Sequence, residues 1–181
     1  MQINTPLTKE SILKLSIGDV VEITGNVYTA RDAAHKRLAD CIASGDTPPI
    51  DLENITFYYA GPCPAKPGRV IGPIGPTTSE RMDPFVETLL KKGMIGMIGK
   101  GDRSDYIPAL CREYKAVYFL GIGGAAAIDS ACVTGCEVVC YEDLGTESVK
   151  KLTVKNLKVI VGIDVFGNVL QEREINKYKI K

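Results

Sequence analysis

The residues best suited to chemistry lie in GPIGPTTSERMD, from Gly72 to Asp83. Thr77, Thr78 and Ser79 offer three hydroxyls in a row, with Arg81 two positions on. Close backbone approach at glycine, hydroxyl donors and a guanidinium suit a carboxylate or phosphate. The plainer reading gives these hydroxyls to turn and cap hydrogen bonds. A second set is TARDAAHKR, with Arg31, Asp32 and the chain's only histidine, His35. It falls where a strand gives way to a helix, whose N-terminus offers free N–H groups to an anion. Asp32 could cap that helix or pair with Arg31. A lone helical histidine is more often structural than catalytic, and the residues alone favour that reading of His35. A third cation, Lys100, stands between two glycines in GKGDRS. The spacing is not that of a P-loop. It reads as an active-site ammonium or as a solvated lysine on a turn.

Two further patterns invite a cofactor. Gly121, Gly123 and Ala126 fit G-x-G-x-x-A, with Glu142 and Asp143 about twenty residues on, as a dinucleotide site requires. Against it, the chain lacks a convincing pair of βαβαβ halves, and tight strand-to-helix packing also explains the glycines. Cys132, Cys136 and Cys140 form C-x3-C-x3-C, which suggests an iron–sulfur cluster. On a strand, residues four apart lie roughly 13 Å apart, too far to hold one cluster. The segment reads as a strand, so these cysteines are expected to be buried and to behave as small hydrophobes.

These groups must be positioned by one domain. The chain has 181 residues, of which 45% are hydrophobic, enough for a single core. Lys plus Arg equals Asp plus Glu at 22 each, which argues against nucleic acid or an anionic membrane as the main partner. No apolar run approaches the ~20 residues that span a bilayer. The N-terminus lacks the plan of a signal peptide, so a cytoplasmic protein is expected, with its six cysteines reduced or ligating.

The elements alternate. Thr8 to Ser11 begin a helical turn, and Gly18 to Ala30 alternate like a half-buried strand. A helix follows to Gly45, and then a strand at Ile55–Pro62. Gly61 to Pro76 form a long ordered loop, of a length that is usually functional. Asp83 and Pro84 start a helix as N-cap and first residue. MIGMIGKG is a buried strand. Ser104 caps a helix whose Pro108 must sit in its first turn or kink it, KAVYFL is a strand, AAAIDSACV is a short helix and CEVVCYED is a strand. Asn156 to Leu170 read as two strands around Phe166-Gly167-Asn168, and residues 171–181 as a loose charged tail. The whole is one α/β domain with a mixed sheet.

The blocks TARDAAHKR, YYAGPCPAKPGRVIGPIGPTTSERMD, MIGKGDRS, FLGIGGAAA and YEDLGTESV together resemble the β subunit, or C-terminal domain, of iron–sulfur class I fumarate hydratases and L-tartrate dehydratases. The likeness runs from about Leu7 to Leu170. It implies a swivelling β/β/α domain with a mixed sheet and flanking helices. It also implies a hydro-lyase, hydrating fumarate to L-malate or dehydrating L-tartrate, that is active only with an α subunit. That partner would carry the 4Fe-4S cluster, and this chain would hold no metal. Arg31 and Arg81, with Thr78 and His35, would bind the dicarboxylate. Thr77 would transfer the proton at carbon and Lys100 would assist. The resemblance also allows a β homodimer within a larger assembly. A dicarboxylate- or NAD-binding module without activity is the remaining alternative.

Overall fold

In the computed structural model, residues 1–179 are described. The last two expected tail residues, Ile180 and Lys181, lie outside them. Seven strands form one mixed sheet: β1 (Gln2–Asn4), β2 (Val20–Thr29), β3 (Thr56–Tyr58), β4 (Gly96–Gly99), β5 (Val117–Leu120), β6 (Val133–Cys140) and β7 (Val149–Ile163). The order is β1-β2-β3-β4-β5-β7-β6, and β2 also pairs with β7. The pairings from β2 through β3, β4, β5 and β7 therefore return to β2 as a ring. Within it β2, β3, β4 and β5 run parallel, while β7 is antiparallel to both β2 and β5.

Sequence explains each layer. β3 and β4 are buried along their whole length, as parallel strands covered on both faces must be. On one face Phe57, Tyr59, Met97 and Tyr118 pack against helices α2 (Asp32–Ala43), α3 (Asp83–Leu90) and α4 (Ile107–Tyr114) through Ala34, Leu38, Val86, Leu89, Ile107 and Cys111. On the other, Tyr58, Ile98 and Phe119 meet residues of the β2–β7 pair and of α1 (Lys9–Ile12), such as Val27, Leu152 and Ile12. α1 starts as its sequence predicts: Thr8 Oγ1 accepts from Ser11 N–H and Ser11 Oγ accepts from Thr8 N–H, each at 3.1 Å. The α/β class with a mixed sheet and flanking helices is as the sequence implies. No helix among the described residues is long and apolar enough to cross a membrane.

Three expectations are corrected. Asn156–Leu170 is not a hairpin. β7 is a single strand of 15 residues, ended where Asp164 Oδ1 accepts from the N–H groups of Phe166 (2.9 Å) and Asn168 (3.1 Å). Val169 only bridges back to Ile163. The charged tail is not loose, because α6 (Leu170–Tyr178) places its charges toward solvent and keeps Leu170, Gln171 and Glu174 half-buried. Arg173 Nη1 ties it to the Ile17 carbonyl at 3.0 Å. Ser104 and Asp83 do not cap their helices. Tyr106 holds the N-cap of α4, and the Asp83 carboxylate turns inward to Arg103.

Candidate active site

The parallel strands β2, β3, β4 and β5 present their carboxyl ends at one edge of the sheet, where α/β folds place ligands. The loops leaving that edge carry the residues singled out above.

β2 ends into Arg31, whose extended backbone (φ −118°, ψ −166°) precedes α2. Its Nη2 pairs with Glu147 Oε1 at 3.2 Å, and both side chains are only partly exposed. The route for this side chain depends on Gly61, where a Cβ would lie 3.2 Å from the Thr146 carbonyl and 3.3 Å from Arg31 Cδ. Asp32 follows in the first turn of α2, where its charge suits the helix dipole. It pairs with Arg81 Nη1 at 3.2 Å, not with Arg31. Arg81 lies on a short 3₁₀ turn, Glu80–Met82, and remains 46% exposed.

His35 stands one turn into α2 with 0% exposure. Its ring lies 5.3 Å from Phe57 and 5.0 Å, edge-on, from Tyr59. Nδ1 is 3.1 Å from the Arg31 carbonyl, which can only accept, so Nδ1 carries the proton. Burial pushes its pKa down to about 4. His35 is thus a neutral ring beneath the surface whose Nδ1–H holds the Arg31 carbonyl.

Thr77 is fixed twice to one carbonyl. Its N–H and its Oγ1 both donate to Tyr59 O, each at 2.7 Å. The next residues zip onto the end of β4: Lys100 N–H donates to Thr77 O (3.1 Å) and Ser79 N–H donates to Lys100 O (3.0 Å). Thr78 thus bridges Lys100 in parallel register, and both side chains are exposed. Gly99 permits this approach, since a Cβ there would run into Ser79 Oγ and come within 2.9 Å of Tyr59 Cδ2. Gly121 N–H donates to Gly99 O at 2.7 Å, which lays the GIGG loop beside Lys100. Lys100 has no ion pair among the described residues. The arrangement can receive anions: two guanidinium forks held by Asp32 and Glu147, one ammonium, and a hydroxyl with free lone pairs.

The sequence of this chain has relatives. The sequence profile of the family described as "Fumarase C-terminus" matches residues 1–173. The chain belongs to the fumarase C-terminus family. It is 33% identical over 183 residues to "Fumarate hydratase class I, anaerobic" of Escherichia coli (strain K12), covering 98% of this chain and 33% of that protein. It is 32% identical over 172 residues to "Fumarate hydratase 1, mitochondrial" of Leishmania major, covering 93% of this chain and 31% of that one. A Methanocaldococcus jannaschii protein provisionally named L(+)-tartrate dehydratase subunit beta is 37% identical over 177 residues, covering 94% of this chain and 90% of its own length. The chain spans about a third of the fumarate hydratases it matches.

Within this fumarase C-terminus domain the cofactor patterns resolve. The dinucleotide fingerprint fails on topology. β6, which should lie parallel beside β5, is antiparallel to β7, and Asp143 is taken by Arg37 at 2.8 and 2.5 Å. The cysteine run does not fit one cluster: Cys132 caps the short helix α5 (Ala126–Ala131), while Cys136 and Cys140 stand four apart on β6 opposite Leu152 and Val149. Nor are they buried. Cys136 is exposed and its two neighbours are half-buried; only Cys111 lies in the core. Among the described residues no group of three His, Cys, Asp or Glu side chains could hold a metal ion. Sequence reading missed Glu147 and Asp83 as partners of the site. Glu147 lies inside the YEDLGTESV block, but nothing in its spacing marks it as the mate of Arg31.

Proposed function

We propose that this chain is the β subunit of a two-subunit iron–sulfur hydro-lyase that reversibly hydrates fumarate to L-malate. The observation that carries the reading is the gathering of Arg31, Arg81, Thr77 and Lys100 at one carboxyl edge in a fumarase C-terminus domain. On this reading the 4Fe-4S cluster belongs to the α subunit, and the enzyme serves the tricarboxylic acid cycle in the cytoplasm.

The chain's own residues bind and move a proton. Arg31 and Arg81 grip the two substrate carboxylates, Thr78 supports them, and Glu147 and Asp32 hold the forks in place beforehand. Proton transfer at the carbon next to a carboxylate gives that group aci-carboxylate character and extra negative charge. Lys100 and the arginines stabilise that charge more than they stabilise the ground state. Thr77 handles the proton at carbon. Its hydroxyl proton points at the Tyr59 carbonyl, so it must turn to donate, and an acid of the partner completes the relay.

A second reading, L-tartrate dehydration to oxaloacetate, is supported by the M. jannaschii relative, whose length this chain nearly matches. One assay separates them. The chain is mixed anaerobically with its α subunit, reconstituted with iron and sulfide, and tested on fumarate and L-tartrate. Turnover that needs both chains is expected, and the better substrate decides between the readings. No turnover of either substrate with an intact cluster overturns both.

A further inference from the structure

Asp83 and Arg103 form an ion pair sealed from water, with side chains 1% and 2% exposed. Arg103 Nε donates to Asp83 Oδ1 at 2.7 Å, and Nη2 lies 2.6 Å from the same oxygen. Asp83 Oδ2 accepts from Ser104 N–H at 2.7 Å. Burying such a pair costs desolvation that apolar side chains of similar volume avoid, so stability alone is a weak reason to keep it. Its position suggests another. Asp83 closes the GPTTSERMD block and Arg103 is the last residue but one of the GKGDRS block, so the pair joins two loops, beyond the point where they zip at Thr77, Ser79 and Lys100.

The guanidinium also faces two tyrosine rings, at 4.6 Å from Tyr118 and 5.6 Å from Tyr59. Each tyrosine continues to the site. The Tyr59 carbonyl holds both donors of Thr77. The Tyr118 hydroxyl lies 2.9 Å from Ser79 Oγ and donates to Gly101 O at 3.1 Å. The two tyrosines that hold the Thr77–Lys100 zipper from below thus both stack on one buried cation.

We propose that Arg103, locked by Asp83, is the positioning residue that holds Thr77 and Lys100 in register for proton transfer. This rests on the hydro-lyase reading for its kinetic arm only. It touches no substrate and acts through Tyr59, Tyr118 and the two loops.

The test uses a charge-free double variant, Asp83→Asn with Arg103→Met. It removes both charges together and keeps an acceptor for Ser104 N–H, so no lone charge is left buried. Two readouts follow. In the reconstituted two-chain enzyme, kcat should fall by roughly 100-fold while KM stays within about 3-fold, because register and not binding is lost. In the full chain alone, hydrogen exchange of the Ser79 and Lys100 amides should quicken by about 100-fold while those of Met97 and Ile98 in β4 stay protected. Arg103→Lys should restore part of both. Unchanged turnover and unchanged exchange in the folded double variant overturn the proposal. So does failure to fold of the double variant and of Arg103→Lys alike, which makes the pair structural. If the wild-type pair of chains has no hydro-lyase activity, the function reading fails, and the exchange result still decides the positioning claim.

Discussion

Thr77 presents an oxygen whose own proton is already engaged by a backbone carbonyl. That is a poor resting state for a donor and a well-defined one for an acceptor. Removing it should strike the chemical step: Thr77→Ala should lower kcat by roughly 100-fold or more with KM nearly unchanged. A change in KM alone would place Thr77 outside the proton path. Arg81 differs in kind. Its fork is half exposed and paired with Asp32. Arg81→Lys should cost about 2–3 kcal/mol in kcat/KM with the fold intact, since an ammonium cannot replace two parallel N–H donors. Normal turnover would remove Arg81 from the site. Side-chain chemistry was readable in the sequence to this depth: cations and hydroxyls at loop positions were visible as types. Their mates were not. Glu147 reaches Arg31, and Asp83 reaches Arg103, by folds of the chain that no local spacing encodes.

Local elements obey local rules more closely. The capping box at Thr8, the breaker-rich loop before Thr77 and Pro108 in the first turn of α4 all follow from residue type. The failures have a common cause. Ser104 and Asp83 look like caps, yet each is drawn into a tertiary contact with the other. The charges of α6 look like disorder until their solvent face is known. At this scale Gly99 is a tight constraint, because the Ser79 and Tyr59 side chains leave no room for a methyl group. Gly99→Ala should destabilise the chain by about 1–3 kcal/mol in urea unfolding and should cut turnover as well by parting the zipper. A stable variant with normal kcat would show that the two loops tolerate separation.

His35 makes the stability of the whole molecule depend on acidity. Its ring is held neutral in the fold, with a pKa near 4 against 6.5 for the free side chain. In the unfolded chain it therefore binds a proton that the folded chain refuses between those values. The stabilisation is complete above about pH 6.5 and is lost as the pH falls toward 4, by on the order of 3 kcal/mol. Urea unfolding of the wild type and of His35→Gln, compared at pH 7.5 and 5, should show a steeper loss in the wild type. Parallel slopes would exclude His35 as the source. The α/β class was legible from alternating periods, but the ring of strands was not, since β2 and β7 stand far apart in the chain and carry no signal of pairing. That ring has a consequence for synthesis. Val20 waits for Ile160, and β5 waits for the same strand. A nascent chain that has not yet released β7 from the ribosome carries two open strand edges at once. The late arrival of one fifteen-residue segment covers both in a single event.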